Sequence, residues 1–122
     1  MKNFYLITLF MCLSNLQTWA TGSSEKAVYD LIERVTPGYA SQYRLEIISS
    51  ENGNDIYEVD GDGQKIILRG NNAVSLATAF NWYLKYTCHA HVSWFGNQLE
   101  LPAKLPQPVH KERRIINGKY RV

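Results

Sequence analysis

Between residues 23 and 101 the apolar positions switch repeatedly between helical and strand rhythms. Ala27, Val28, Leu31, Ile32 and Val35 recur three and four residues apart, which marks a helix with one buried face. Ser23 or Ser24 caps it, Glu25 suits its first turn, and Pro37-Gly38 ends it. Tyr43, Leu45 and Ile47 then alternate with Arg44, Glu46 and Ile48, as in a half-buried strand. Asn52-Gly53 is a hairpin signal, because both residues tolerate the positive φ of a tight turn. A return strand runs over Ile56–Val59, and Gly61-Asp62-Gly63 makes a second turn. Lys65–Arg69 is a third strand whose centre, Ile66-Ile67-Leu68, is apolar on both faces, the mark of a central strand. Three strands joined by short turns predict antiparallel pairing.

Gly70-Asn71-Asn72 opens the longest helix, from about Ala73 to Tyr86, with Asn71 or Asn72 as cap. Val74, Ala77, Phe80, Trp82 or Tyr83, and Leu84 carry its periodicity. After Cys88 the period shortens to two. Ala90, Val92 and Trp94 alternate with His89, His91 and Ser93, Phe95-Gly96-Asn97 turns the chain, and Gln98–Leu101 returns. The order is helix, three strands, helix, two strands. It predicts an α+β fold, a two-layer sandwich with a mostly antiparallel sheet and two helices on one face.

The flanks read differently. Met1-Lys2-Asn3, the apolar run Phe4–Leu13 and the small residues of Thr18-Trp19-Ala20 have the three parts of a secretory signal peptide over residues 1–20. The run is too short to span a membrane, so no span is expected after cleavage. This places the chain outside the cytoplasm, secreted or periplasmic. Cleavage also removes Cys12, leaving Cys88 without a disulfide partner or a zinc-ligand set.

At the other end, Pro102, Pro106 and Pro108 stiffen an extended path. Residues 24–101 carry six basic and ten acidic side chains, and residues 102–122 carry six basic and one acidic. No binding motif or interleaved aromatics accompany that basic cluster, so nucleic acid is not an expected partner. Composition therefore divides the chain into a folded domain over 24–101 and a proline-containing basic linker over 102–122, in which the start of a following domain is cut short.

Candidate chemistry is sparse. Asp55, Glu58, Asp60 and Asp62 cluster around Gly61, but lack the run of oxygen ligands of a calcium loop. His89 and His91 are two apart with no third ligand identifiable. Arg69-Gly70-Asn71-Asn72-Ala73 leads from strand to helix without the lysine or glycine density of a phosphate loop. No catalytic, cofactor-binding or metal residue is assigned, and no cofactor is expected. Tyr57, Trp82, Tyr83, Tyr86, Trp94 and Phe95 could stack on sugars, although large rings also build ordinary cores.

Two stretches carry a resemblance. They are Ile67–Ala77 with Phe80-Asn81-Trp82-Tyr83-Leu84-Lys85-Tyr86, and His91-Val92-Ser93-Trp94-Phe95-Gly96-Asn97-Gln98-Leu99-Glu100-Leu101-Pro102 with Leu105-Pro106 after it. Together they resemble the N-terminal domain of α-N-acetylglucosaminidases, the family 89 glycoside hydrolases, over residues 25–121. The resemblance implies a small α/β domain ahead of a catalytic barrel, which holds the two glutamates of a retaining mechanism. Those glutamates have no counterpart in this sequence, and Lys119-Tyr120-Arg121-Val122 only approaches the family's first barrel strand.

The expected function follows from that likeness. It is a non-catalytic accessory domain of a secreted glycosidase, packing against a catalytic barrel in cis or from a split gene. The alternative is a free-standing periplasmic glycan-binding or protein-interaction module. Trp82, Trp94 and Gln98 are the candidate glycan or interdomain contacts.

Overall fold

The computed structural model of the chain describes residues 22–116, so the signal segment and Lys119–Val122 lie outside the described residues. Helix α1, Ser23–Val35, turns Val28 and Ile32 into the core, as its spacing predicts. Gly22 rather than a serine stands at its cap position. A single 3-10 turn, Ala40–Gln42, leads into strand β1, Tyr43–Ile47. Strands β2, Asp55–Gly61, and β3, Ile66–Gly70, come next, followed by helix α2, Ala73–Tyr86. Strands β4, His91–Ser93, and β5, Gly96–Gln98, make a hairpin of their own. Strand β6, Glu112–Ile116, returns to the main sheet.

The architecture is α+β, with two helices over a mostly antiparallel sheet and a separate two-stranded hairpin. One core joins Val28 and Ile32 of α1 and Leu76, Phe80, Tyr83 and Leu84 of α2 to the sheet. The sheet contributes alternate residues: Tyr43, Leu45, Tyr57, Val59, Ile66 and Leu68. The Tyr43 ring meets Phe80 and Tyr83 edge-on, at 5.6 and 5.7 Å between centroids. Such edge-to-face contacts add to what burial alone contributes. Close approach of α2 depends on Gly70, where a Cβ would lie 2.7 Å from the Leu76 amide nitrogen.

Strand order corrects one expectation. The sheet runs β1-β3-β2-β6, with β3 antiparallel to β2 and parallel to β1. The three strands are therefore not an antiparallel meander. The Asn52-Gly53 turn does form, with φ of 50 and 74°, and Glu51 and Asn54 exchange backbone hydrogen bonds across it. The strands it joins do not pair, because β3 occupies the slot between them. The reason is burial. Ile66, Ile67 and Leu68 are all buried, and an interior position shields a strand on both edges and both faces.

The linker reading is also corrected. Residues 102–114 pack along the domain, and Leu105, 3% exposed, belongs to the core. Gln42 donates to the Ala103 carbonyl at 2.8 Å and accepts from the Leu105 amide at 2.9 Å. The Tyr83 hydroxyl donates to the Pro106 carbonyl at 2.7 Å, and the Tyr39 hydroxyl reaches the Pro102 carbonyl at 3.0 Å. A proline-containing stretch offers few N–H groups to a ladder, so side-chain donors fasten it by its carbonyls instead. From Glu112 the chain rejoins the sheet along β2. The folded unit therefore continues past Leu101 to Ile116.

Candidate functional site

The sheet face away from the helices carries a row of charges across all four strands. Register places Glu46 of β1 beside Arg69 of β3, Arg69 beside Glu58 of β2, and Glu58 beside Arg113 of β6. The signs alternate along the row, as favourable cross-strand pairs do. Arg69 reaches Glu46 at 2.9 Å, Glu58 at 3.2 Å and Asp60 at 2.9 Å. Glu58 is 3% exposed and also accepts from Arg113 at 2.8 Å and meets Lys111 at 3.1 Å. Arg113 reaches Glu51 as well.

Burial pushes the Glu58 carboxyl up, but hydrogen bonds from Lys111 and Arg113 outweigh it and hold the group below the usual carboxylate range. Asp60 is lowered in the same way, with burial opposed by the hydrogen bond from Arg69. Glu46 is lowered chiefly by its hydrogen bond from Arg69. These groups are fixed as ions with their partners in place.

The acidic turn has the same character. Asp62 accepts from the amides of Gln64 and Lys65 and pairs with Arg44 at 3.2 Å, closing the β2–β3 turn. At the N-terminus of α2, the Asn72 side chain accepts from the Ser75 amide, and Asn71 and Asn72 both donate to Asp55. The helix end thus holds its own cap and a carboxylate. Burial pushes the half-buried Cys88 thiol up, against a hydrogen bond from Tyr83 that lowers it. A thiol in that state is a poor nucleophile. Among the described residues, no three His, Cys, Asp or Glu side chains are placed to hold a metal ion.

The sequence candidates separate onto two surfaces. Trp94 and Gln98 belong to the β4–β5 hairpin, and Trp82 lies on α2 beside a cleft. The hairpin pairs His91 with Gln98 and Ser93 with Gly96, and Trp94-Phe95 forms its tip. Both tip rings are 98% exposed. The turn therefore falls on Trp94-Phe95, one residue before the predicted Phe95-Gly96-Asn97. One side of the hairpin is a shallow concavity of about 310 Å³ lined by His91, Ser93, Phe95, Asn97 and Gln98. The second cleft, about 290 Å³, lies between the end of α2 and residues 106–110. Trp82 there packs partly on the core and lies 5.0 Å from the Tyr86 ring, over which sits Lys85.

His89 lines that cleft and His91 the hairpin, so the two imidazoles serve different surfaces. His89, three residues past the end of α2, has φ of 53°, a conformation glycine usually supplies just after a helix. Sequence reading did not anticipate that strained position or the charge row, since neither has a local signature. It did single out Trp94 and Gln98, the aromatic and polar sides of one hairpin.

Comparison with known proteins fits this anatomy. The family model described as "Alpha-N-acetylglucosaminidase (NAGLU) N-terminal domain" matches residues 26–107. Human alpha-N-acetylglucosaminidase is 34% identical over 100 residues, which are 78% of this chain and 14% of the human protein. A family 89 glycoside hydrolase from Clostridium perfringens, solved with 2-acetamido-1,2-dideoxynojirmycin, matches with a TM-score of 0.76 at 28% identity. That match covers 89% of this chain and 13% of the other. A second Clostridium perfringens structure, in complex with its substrate GlcNAc-alpha-1,4-galactose, matches equally well. The chain thus spans about one seventh of the relatives it matches. With its folded core inside the matched segment, this chain belongs to the family of α-N-acetylglucosaminidase N-terminal domains.

Proposed function

We propose that this chain is the non-catalytic N-terminal accessory domain of a secreted α-N-acetylglucosaminidase-type glycoside hydrolase. In this reading it packs against a catalytic barrel, supplied by the same polypeptide or by a separate one, and works outside the cytoplasm. The single observation that carries the reading is the match of residues 26–107 to the family's N-terminal domain, within relatives about seven times longer than the matched portion. The carboxylates of the sheet face are in keeping with it: Glu46, Glu58 and Asp60 are held as ions by arginine and lysine side chains. Among the described residues no helix is long and apolar enough to cross a membrane.

Two measurements test the proposal. The purified chain is expected to leave a chromogenic α-N-acetylglucosaminide intact, and hydrolysis above background would sink the non-catalytic reading. Mixed with the catalytic portion of a family 89 relative from which the N-terminal domain has been deleted, it is expected to co-elute and raise the Tm of that portion. Independent elution with unchanged Tm would remove the accessory role.

A further inference from the structure

The hairpin is uncharged, polar along one side and aromatic at its tip. Fourteen consecutive residues, Tyr86–Leu99, contain no Asp, Glu, Lys or Arg. The Trp94 and Phe95 rings at the tip are almost wholly in water. Beside Phe95 stand an imidazole, a hydroxyl and two carboxamides, from His91, Ser93, Asn97 and Gln98. Ser93 donates its hydroxyl hydrogen to the Gly96 carbonyl at 2.8 Å, which leaves its oxygen as an acceptor. Among the described residues, the side chains of His91, Asn97 and Gln98 have no hydrogen-bond partner within the chain.

From this geometry we propose that the concave side of the β4–β5 hairpin binds an uncharged saccharide, with Phe95 as the stacking ring. A pyranose has an apolar face of C–H bonds and a rim of hydroxyls, or of an acetamido group. The face suits a bare aromatic ring. The rim needs neutral groups that both donate and accept, which carboxamides supply. Charge separates this occupant from others. A sulfated or carboxylated glycan calls for Lys or Arg, and an anionic membrane calls for a basic rim; the hairpin has neither. A protein partner holds an aromatic anchor in a well-packed pocket shut off from water, whereas Phe95 stands on a shallow surface beside hydrogen-bonding side chains. The α2 cleft is the weaker candidate, because Trp82 and Tyr86 cover each other and Trp82 also packs on the core. This binding goes beyond the accessory role and does not require the barrel.

Nuclear magnetic resonance titration of the full chain with N,N′-diacetylchitobiose and with lactose tests the proposal. The expected result is saturable amide shifts confined to residues 91–98 with at least one of the two sugars. Phe95→Ala is expected to weaken binding about tenfold and Phe95→Tyr to retain it, with the Tm of both unchanged because the ring is in solvent. Asn97→Ala with Gln98→Ala is expected to weaken it about fivefold. No shift with either sugar overturns the proposal, as do shifts centred on Trp82. Tighter binding to heparin than to either sugar, or hairpin shifts that appear only with phosphatidylcholine vesicles, overturns it in favour of an anionic glycan or a membrane. Failure here with persistent co-elution on the catalytic portion leaves the accessory role standing, so the two proposals fail separately.

Discussion

The sheet face and the hairpin are both polar and both reach solvent, yet they are built on opposite terms. On the sheet face every prominent charge has an answering charge one strand away, in the row Glu46, Arg69, Glu58, Arg113. On the hairpin there is no Asp, Glu, Lys or Arg, and the side chains of His91, Asn97 and Gln98 have no hydrogen-bond partner among the described residues. A polar surface that satisfies itself stabilises the fold and has little left for a ligand. One that does not is hydrated at no cost to the fold, and its groups are available to a ligand that displaces the water. Density of chemical groups is therefore a poor guide to function in this domain, and the internal satisfaction of those groups is a better one.

The comparison breaks most visibly at Glu58. Glu58→Gln leaves Arg69, Lys111 and Arg113 without their shared carboxylate. Partners that are themselves partly exposed can rehydrate, so the expected loss is about 2 kcal/mol rather than that of a fully buried pair. Urea unfolding measures it as a lower midpoint at an unchanged slope. An unaltered midpoint would mean the row is ornamental.

Acid is expected to erode the same face. Glu46, Glu58 and Asp60 have folded pKa values below their unfolded ones. Groups of this kind contribute stability that is complete above the unfolded carboxyl values, near pH 4 to 4.5, and lost as pH falls through the folded values. Thermal unfolding should therefore be flat in this respect from pH 7 to about 5 and should fall below pH 4.5. In Glu58→Gln that fall should be shallower.

Between α2 and the hairpin, His89→Gly removes a side chain from a left-handed residue and is expected to stabilise by about 0.5–1 kcal/mol, read as a higher Tm. The smallest expected effect falls on the hairpin itself. Trp94→Ala with Phe95→Ala should change stability by less than about 0.5 kcal/mol, because both rings are already in water. A large loss there would show that the tip serves the fold and would dissolve the contrast with the sheet face.

Much of this was legible in the chain. Three-and-four spacing located both helices, alternation located β1 and β4, and the doubly apolar Ile66-Ile67-Leu68 marked an interior strand, but β5 forms at Gly96–Gln98 rather than over the expected Gln98–Leu101 and β6 was not anticipated. The meander was misread because a turn signal such as Asn52-Gly53 specifies a reversal of the chain but not the neighbour that fills the gap. Pairing β1 with β3 is a long-range choice made by burial. Pro102–Arg114 was misread for a related reason. Leu105 and β6 are fastened by Gln42, Tyr83 and β2, residues distant in sequence, and no local pattern records them. The charge row was invisible for the same cause, since it exists only once register is set. The hairpin rings were visible as aromatics, but their exposure at a two-residue tip was not.

The position of β6 has a consequence in time. The β2 edge it covers, the cation pair it brings to Glu58, and the place in the core taken by Leu105 all wait on residues 105–116. Synthesis proceeds from the N-terminus at about 5–20 residues per second, so both helices and the strands β1 to β5 emerge before these pieces exist. During that interval the nascent domain has an open edge and a buried-acid site without two of its cations. Its folding closes from the far end, when the last strand arrives.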